Sequence, residues 1–206
     1  MGKQMIRRIV NAPLFLWTIL ALPGFRMTST LLSGATGPEG QTTEELLLHP
    51  SGESAAQIMI LAMIITPLRM LFPKNRFWLW MMKRRRHIGV AAFIYAVFHT
   101  VLYVIDMDSV QAMLGEFMEL GIWTGWLAFF IFIPLALTSN DFSVRKLGPS
   151  WKTVHRFAYA AAVATLIHWI FVNNTLGPAL ARFIPLALLE VYRIWRTLYP
   201  QRVASA

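Results

Sequence analysis

Uncharged apolar runs alternate with charged segments along the whole chain. No charge falls in 9–25, between Arg8 and Arg26, in 87–105, which ends at Asp106, in 120–140, between Glu119 and Asp141, or in 157–181. A further run, 54–72, is broken only by Arg69, whose stem can carry its head group to an interface. Each approaches the roughly 20 residues needed to cross a bilayer core. A sixth run, about 176–195, is interrupted by Arg182, Pro185 and Glu190, so an interfacial helix is the alternative to a span there. The pattern predicts an all-α, polytopic transmembrane bundle of about six helices, forming one domain over residues 1–206. Residues 28–50, with Gly34, Gly37, Pro38 and Gly40, read as a flexible loop.

Composition supports this reading. Of the 206 residues, 56% are hydrophobic and 14% charged, against about 25% charged in soluble domains. The basic residues then orient the bundle. With the N-terminus (Lys3, Arg7, Arg8) in the cytoplasm, the segments 73–86 and 141–156 and the tail with Arg193, Arg196 and Arg202 fall on the same side. Of the 19 basic residues only Arg26 and Arg182 fall outside, whereas the acids Glu39, Glu44, Glu45, Glu53, Asp106, Asp108, Glu116 and Glu119 all do. This is the positive-inside asymmetry, with both termini cytoplasmic. The "KRRR" run at 83–86 therefore reads as a juxtamembrane cluster facing anionic lipid, not as a nucleic-acid site. The N-terminal run also has the layout of a signal peptide; its apolar core is long for one, and a retained first helix is expected.

The chain has no cysteine. This excludes structural disulfides, a thiol relay, and thiolate-bound clusters or heme. No G-x-G-x-x-G or P-loop marks a nucleotide site, and no internal repeat is visible.

Histidine carries the candidate chemistry, because ionisable groups in a bilayer are costly and usually functional. The third and fifth runs both start at the basic face. His87 and His155 stand at their starts; His99 lies 12 residues beyond His87 and His168 13 beyond His155. Those separations are roughly 18 and 20 Å on a helix. Two levels, each with an imidazole from two helices, make a frame for one or two bis-histidine b-type hemes, with His99 and His168 as the deeper pair. On rotation the frame is less tidy, since spacings of 12 and 13 leave the two imidazoles of each helix about 120° and 140° apart. A histidine that only bonds a neighbouring helix is the bland alternative, and for His87, among headgroups, solvation alone suffices. His49, before Pro50 at the outer mouth of the second run, reads as a contact to a partner, a quinone or a heme carboxylate, or as a plain loop residue.

The segments "HPSGESA" (49–55), "IITPLRML" (64–71), "RRRHIG" (84–89) followed by His99, and "LTSNDFSVRKLGPSWKTVHRFAY" (137–159) followed by His168 together resemble the MsrQ (YedZ) family. That family lies within the ferric-reductase-like transmembrane group, and the likeness runs over about 49–172. The resemblance implies an electron-transfer subunit, not itself the terminal catalyst, in the bacterial inner membrane. Its heme ligands would be His99, His155 and His168, with His87 at a position where an apolar residue is expected. It implies heme b and FMN as cofactors, and electrons drawn from the quinol pool or through a flavin donor. The implied acceptor is a periplasmic molybdenum-containing methionine sulfoxide reductase subunit of the MsrP kind. Two alternatives stay open: a stand-alone ferric or quinone reductase on the same scaffold, and a transporter or assembly protein without heme.

Overall fold

The computed structural model describes residues 12–38 and 40–199. Lys3, Arg7, Arg8, Glu39 and Arg202, used above to orient the chain, lie outside the described residues. Eight helices make up the described chain: α1 (Pro13–Ser33), α2 (Thr43–Leu71), α3 (Arg76–Asp106), α4 (Val110–Glu116), α5 (Leu120–Leu137), α6 (Asp141–Leu147), α7 (Pro149–Asn173) and α8 (Leu176–Leu198). α1, α2, α3, α5 and α7 are long and apolar enough to cross a membrane. The expected all-helical transmembrane bundle is therefore present.

Several boundaries differ from the hydropathy pattern, each for a local reason. The first helix runs to Ser33 rather than 25, so that Arg26 lies within it; Gly34, in the left-handed region (φ 62°), ends it. The expected 28–50 loop shrinks to 34–42. Thr42 starts α2 with a capping box, in which its hydroxyl accepts from Glu45 N and its own N–H donates to the Glu45 carboxylate. His49 is thus in the second turn of α2, not in a loop. The basic segment 73–86 is likewise mostly helix: Asn75 caps α3, and "KRRR" rides on it. At about 1.5 Å per residue α3 exceeds a ~30 Å hydrocarbon core, so its basic first turns reach beyond it. The fifth span covers 149–173 instead of 157–181, because Asn174 adopts φ 50° and turns the chain. Two short helices, α4 and α6, capped by Ser109 and Asn140, occupy what the sequence reads as loops.

Two antiparallel helix pairs form the bundle. α2 packs on α3, and α5 on α7, more extensively than any other elements. Small residues allow the close approach: Ser51, Ala55, Ala56 and Ala62 on α2 with Ala91 and Ala92 on α3, and Gly121, Thr124 and Ala128 on α5 with Ala161 and Ala164 on α7, are all buried. The pairs leave all described ends at two faces. One carries Arg76, Lys83–Arg86, Lys146 and Lys152, the other Glu44, Glu45, Asp106 and Glu119; these are the basic and acidic ends below.

α1 lies against both α2 and α3. The Tyr95 hydroxyl enters its backbone ladder, accepting from Gly24 N (2.7 Å) and donating to Leu20 O (2.7 Å), beside Pro23. α8, the weak sixth run, stands along the bundle. Arg182 pairs with Glu53 and lies 5.0 Å over the Trp169 ring, while Arg193, eleven residues on, lies 5.1 Å over Tyr159. Ala179, just before the first anchor, and Phe183 and Leu186, between the two, are buried. The helix therefore runs from the acidic toward the basic end rather than lying across one face.

Candidate functional site: a paired-histidine cavity

His99 projects from α3 and His168 from α7, and the two imidazoles meet between the helix pairs. Their ring centroids are 6.0 Å apart, and the planes cross at 75°. They face a cavity of about 400 Å³ at the acidic end, within the range of small-molecule and cofactor sites. Its walls are mostly apolar, from Ala55, Ala96, Ile122, Phe129 and Phe132.

Each ring is held the same way. His99 Nδ1 lies 2.9 Å from Leu48 O, with Ser51 Oγ at 3.1 Å; Ser51 itself donates to Leu48 O (2.8 Å). His168 Nδ1 lies 2.7 Å from Gly121 O. A carbonyl only accepts, so both Nδ1 atoms carry the proton and both Nε2 atoms keep a free lone pair. No hydrogen bond engages either Nε2 among the described residues. Four residues past each carbonyl stands a glycine. A Cβ on Gly52 would lie 2.9 Å from His99 Cε1, and one on Gly125 would lie 2.6 Å from His168 Nδ1. Each helix pair therefore repeats one device, in which a carbonyl at i and a glycine at i+4 on the first helix seat the histidine of the second. The sequence shows no repeat, yet Gly121 and Gly125 keep the small-x-x-x-small spacing that signals such an approach.

This device fits a metal-bound group. A ligating histidine commonly gives its other N–H to a carbonyl or carboxylate, which sets the tautomer and the ring direction. Two imidazoles with free Nε2 atoms on opposite helix pairs can ligate one iron from two sides. Among the described residues no group of three or more His, Asp and Glu forms a cage for a bare ion, so the donor set would suit a metal carried by an organic group that supplies its remaining ligands.

His155 and His87 do not come together in this way. The His155 ring stacks on Trp151 (centroids 3.9 Å, 26°), and its Nε2 lies 3.1 Å from Thr138 Oγ1. Thr138 Oγ1 also lies 2.7 Å from Pro134 O, so Nε2 is engaged by a side chain here, unlike at His99 and His168. His87 is exposed and sits edge-on to Trp17 of α1, 6.0 Å away. His49 lies on the cavity rim, 3.8 Å from the Glu53 carboxylate. Sequence reasoning missed Gly52, Gly125, Ser51 and the two carbonyls; "HPSGESA" held the first signal without its partner.

Similarity to known proteins agrees with the architecture. The model for the family described as "Ferric reductase like transmembrane component" matches residues 51–166. The chain is 30% identical over 188 residues to proteins of Brucella ovis, Brucella canis and Brucella suis, covering 90% of this chain and 82% of each relative. Each of these is named "Protein-methionine-sulfoxide reductase heme-binding subunit MsrQ". No solved structure matches. Two helix pairs, facing histidines and these relatives converge: the chain belongs to the MsrQ family, within the ferric reductase like transmembrane group.

Proposed function

We propose that this chain is a membrane electron-transfer subunit in which His99 and His168 ligate one b-type heme, and that 1–206 forms a single heme-binding domain. The observation that carries the reading is the matched tautomer. Both Nδ1–H groups are given to backbone carbonyls, which leaves both Nε2 lone pairs free on rings that line one cavity. A heme held there supplies a one-electron carrier. The residues bind and orient it, and the apolar wall limits water. The relatives' name, which states heme binding, supports the same assignment.

The positive-inside asymmetry supports placing the acidic end in the periplasm of a bacterial inner membrane. Electrons then enter from the quinol pool or a flavin donor and leave at the acidic end. The acceptor is a periplasmic methionine sulfoxide reductase subunit, where the terminal chemistry takes place. A second heme at the basic end requires His155 to leave Trp151 and Thr138 so that Nε2 is free. The heme count per chain tests that requirement directly.

The decisive experiment is a dithionite-reduced-minus-oxidised spectrum of the purified protein, with pyridine hemochrome quantitation. A reducible b-type spectrum is expected. Protein purified without colour, and taking up no added heme, would overturn the reading in favour of a transporter or assembly role.

A further inference from the structure

Tyr103 lies on α3 four residues beyond His99, on the same helix face. It lines the same cavity, toward the acidic end, and its ring sits edge-on to Trp126 (6.2 Å, 74°), another wall residue. Its hydroxyl oxygen is buried and has no hydrogen-bond partner among the described residues. Such an orphan costs about 1–3 kcal/mol, and native proteins seldom keep one without a reason. The neighbouring hydroxyl is already committed, since Thr100 donates to Ala96 O (2.9 Å). The other charged groups lining this end are Glu45, Glu53, Asp106 and Glu116, which as carboxylates only accept. Glu53 is paired with Arg182, but a ligand oxygen entering there still meets the other carboxylates, and the buried Tyr103 hydroxyl is a neutral donor on a ring held edge-on by Trp126.

We propose that the Tyr103 hydroxyl donates a hydrogen bond to a carboxylate oxygen of the group bound in the paired-histidine cavity. The inference rests on the heme reading, because a b-type heme carries two such carboxylates on its edge. Tyr103 is a binding residue in this role: it offsets the acidic surroundings for one carboxylate and so sets which edge of the macrocycle faces the acidic end.

The test uses the full chain in detergent, wild type and Tyr103→Phe, each loaded with heme b or with its dimethyl ester. The readout is the rate of heme transfer to excess apomyoglobin. Phenylalanine keeps the ring against Trp126 and removes only the donor. Tyr103→Phe should release heme b about ten- to a hundredfold faster, the size of one hydrogen bond to a charged acceptor. With the ester, whose carbonyl accepts only a neutral hydrogen bond, the gap should shrink to about two- to tenfold. Equal rates with heme b would overturn the proposal. So would a gap that persists undiminished with the ester, because the hydroxyl would then act on the protein, for instance through Glu116. If the wild type takes up neither heme, the heme reading falls as well, and the missing Soret band separates that result from the other two.

Discussion

At the acidic end, His99 and His168 each give Nδ1–H to a carbonyl, lie against a glycine and line a shared cavity with Nε2 free. At the basic end, His155 Nε2 is engaged by the Thr138 hydroxyl under a stacked Trp151, and His87 is exposed beside Trp17. The side chains are chemically the same and stand on the same two helices. The difference lies in rotation and in what the facing helix offers. His155 stands 13 residues before His168, and the residue 13 before His99 is Arg86, which bonds Asp141 (2.5 Å). His87 is one position further on, so it is turned about 100° away, toward α1. Depth alone makes the two levels look alike; azimuth separates them.

The sharpest way to break this comparison is to remove the acidic-end rings. His99→Ala and His168→Ala are each expected to lose most of the bound heme. Insertion should survive, because losing an imidazole makes a span more apolar. The measurement is heme per protein in the purified membrane fraction. Full retention in either variant would end the pairing.

The glycine seats come next. Gly125→Ala puts a Cβ 2.6 Å from the His168 ring and Gly52→Ala one 2.9 Å from His99. Overpacking of this kind costs about 1–3 kcal/mol, so heme should dissociate roughly five- to a hundredfold faster, with Gly125→Ala the more severe. Gly89, where a Cβ meets nothing within 4 Å, is the control: Gly89→Ala should match wild type. Were all three alike, ring clearance would not be what holds the site.

How much of this could be read from the chain divides along the same line. Charge and apolar run length give the spans, the two faces and the two histidine levels, because burial in lipid penalises charge at every position alike. The helix ends at Ser33 and Asn173 were not legible, since they depend on left-handed turns at Gly34 and Asn174 that hydropathy does not report. Nor was the site's frame. Leu48 O and Gly121 O are backbone atoms with no sequence signature, and Gly52 and Gly125 gain meaning only once α2 meets α3 and α5 meets α7. The 12- and 13-residue spacings did hold the azimuth, but each had to be referred to its own partner helix.

At the basic end smaller effects are expected. His87→Leu should leave the heme count unchanged. His155→Ala should leave the acidic-end heme and its spectrum intact, because His155 does not line that cavity. Pyridine hemochrome quantitation on both variants checks this. A heme lost from His155→Ala alone would mean that Nε2 leaves Thr138 for iron, with a partner other than His87.

The least effect is expected from charges at the acidic face, where the proposed periplasmic acceptor would meet Glu44, Asp108 and Glu119. Complementary charge speeds encounter more than it strengthens the final complex, and salt screens it within about 10 Å at 0.1 M. The choice of residue matters. Glu45 closes the capping box of α2, so replacing it would cost helix stability and blur the result. Glu119 is exposed, and its side chain makes no capping bond at the start of α5. Glu119→Gln combined with Glu44→Gln should slow heme reoxidation by the acceptor a few-fold at low ionic strength. The deficit should vanish as salt rises, with the heme spectrum unchanged throughout. The measurement is the stopped-flow reoxidation rate across a salt series. If the variant tracks the wild type at every ionic strength, the acidic face reflects membrane insertion alone, and the acceptor docks by contacts that charge does not steer.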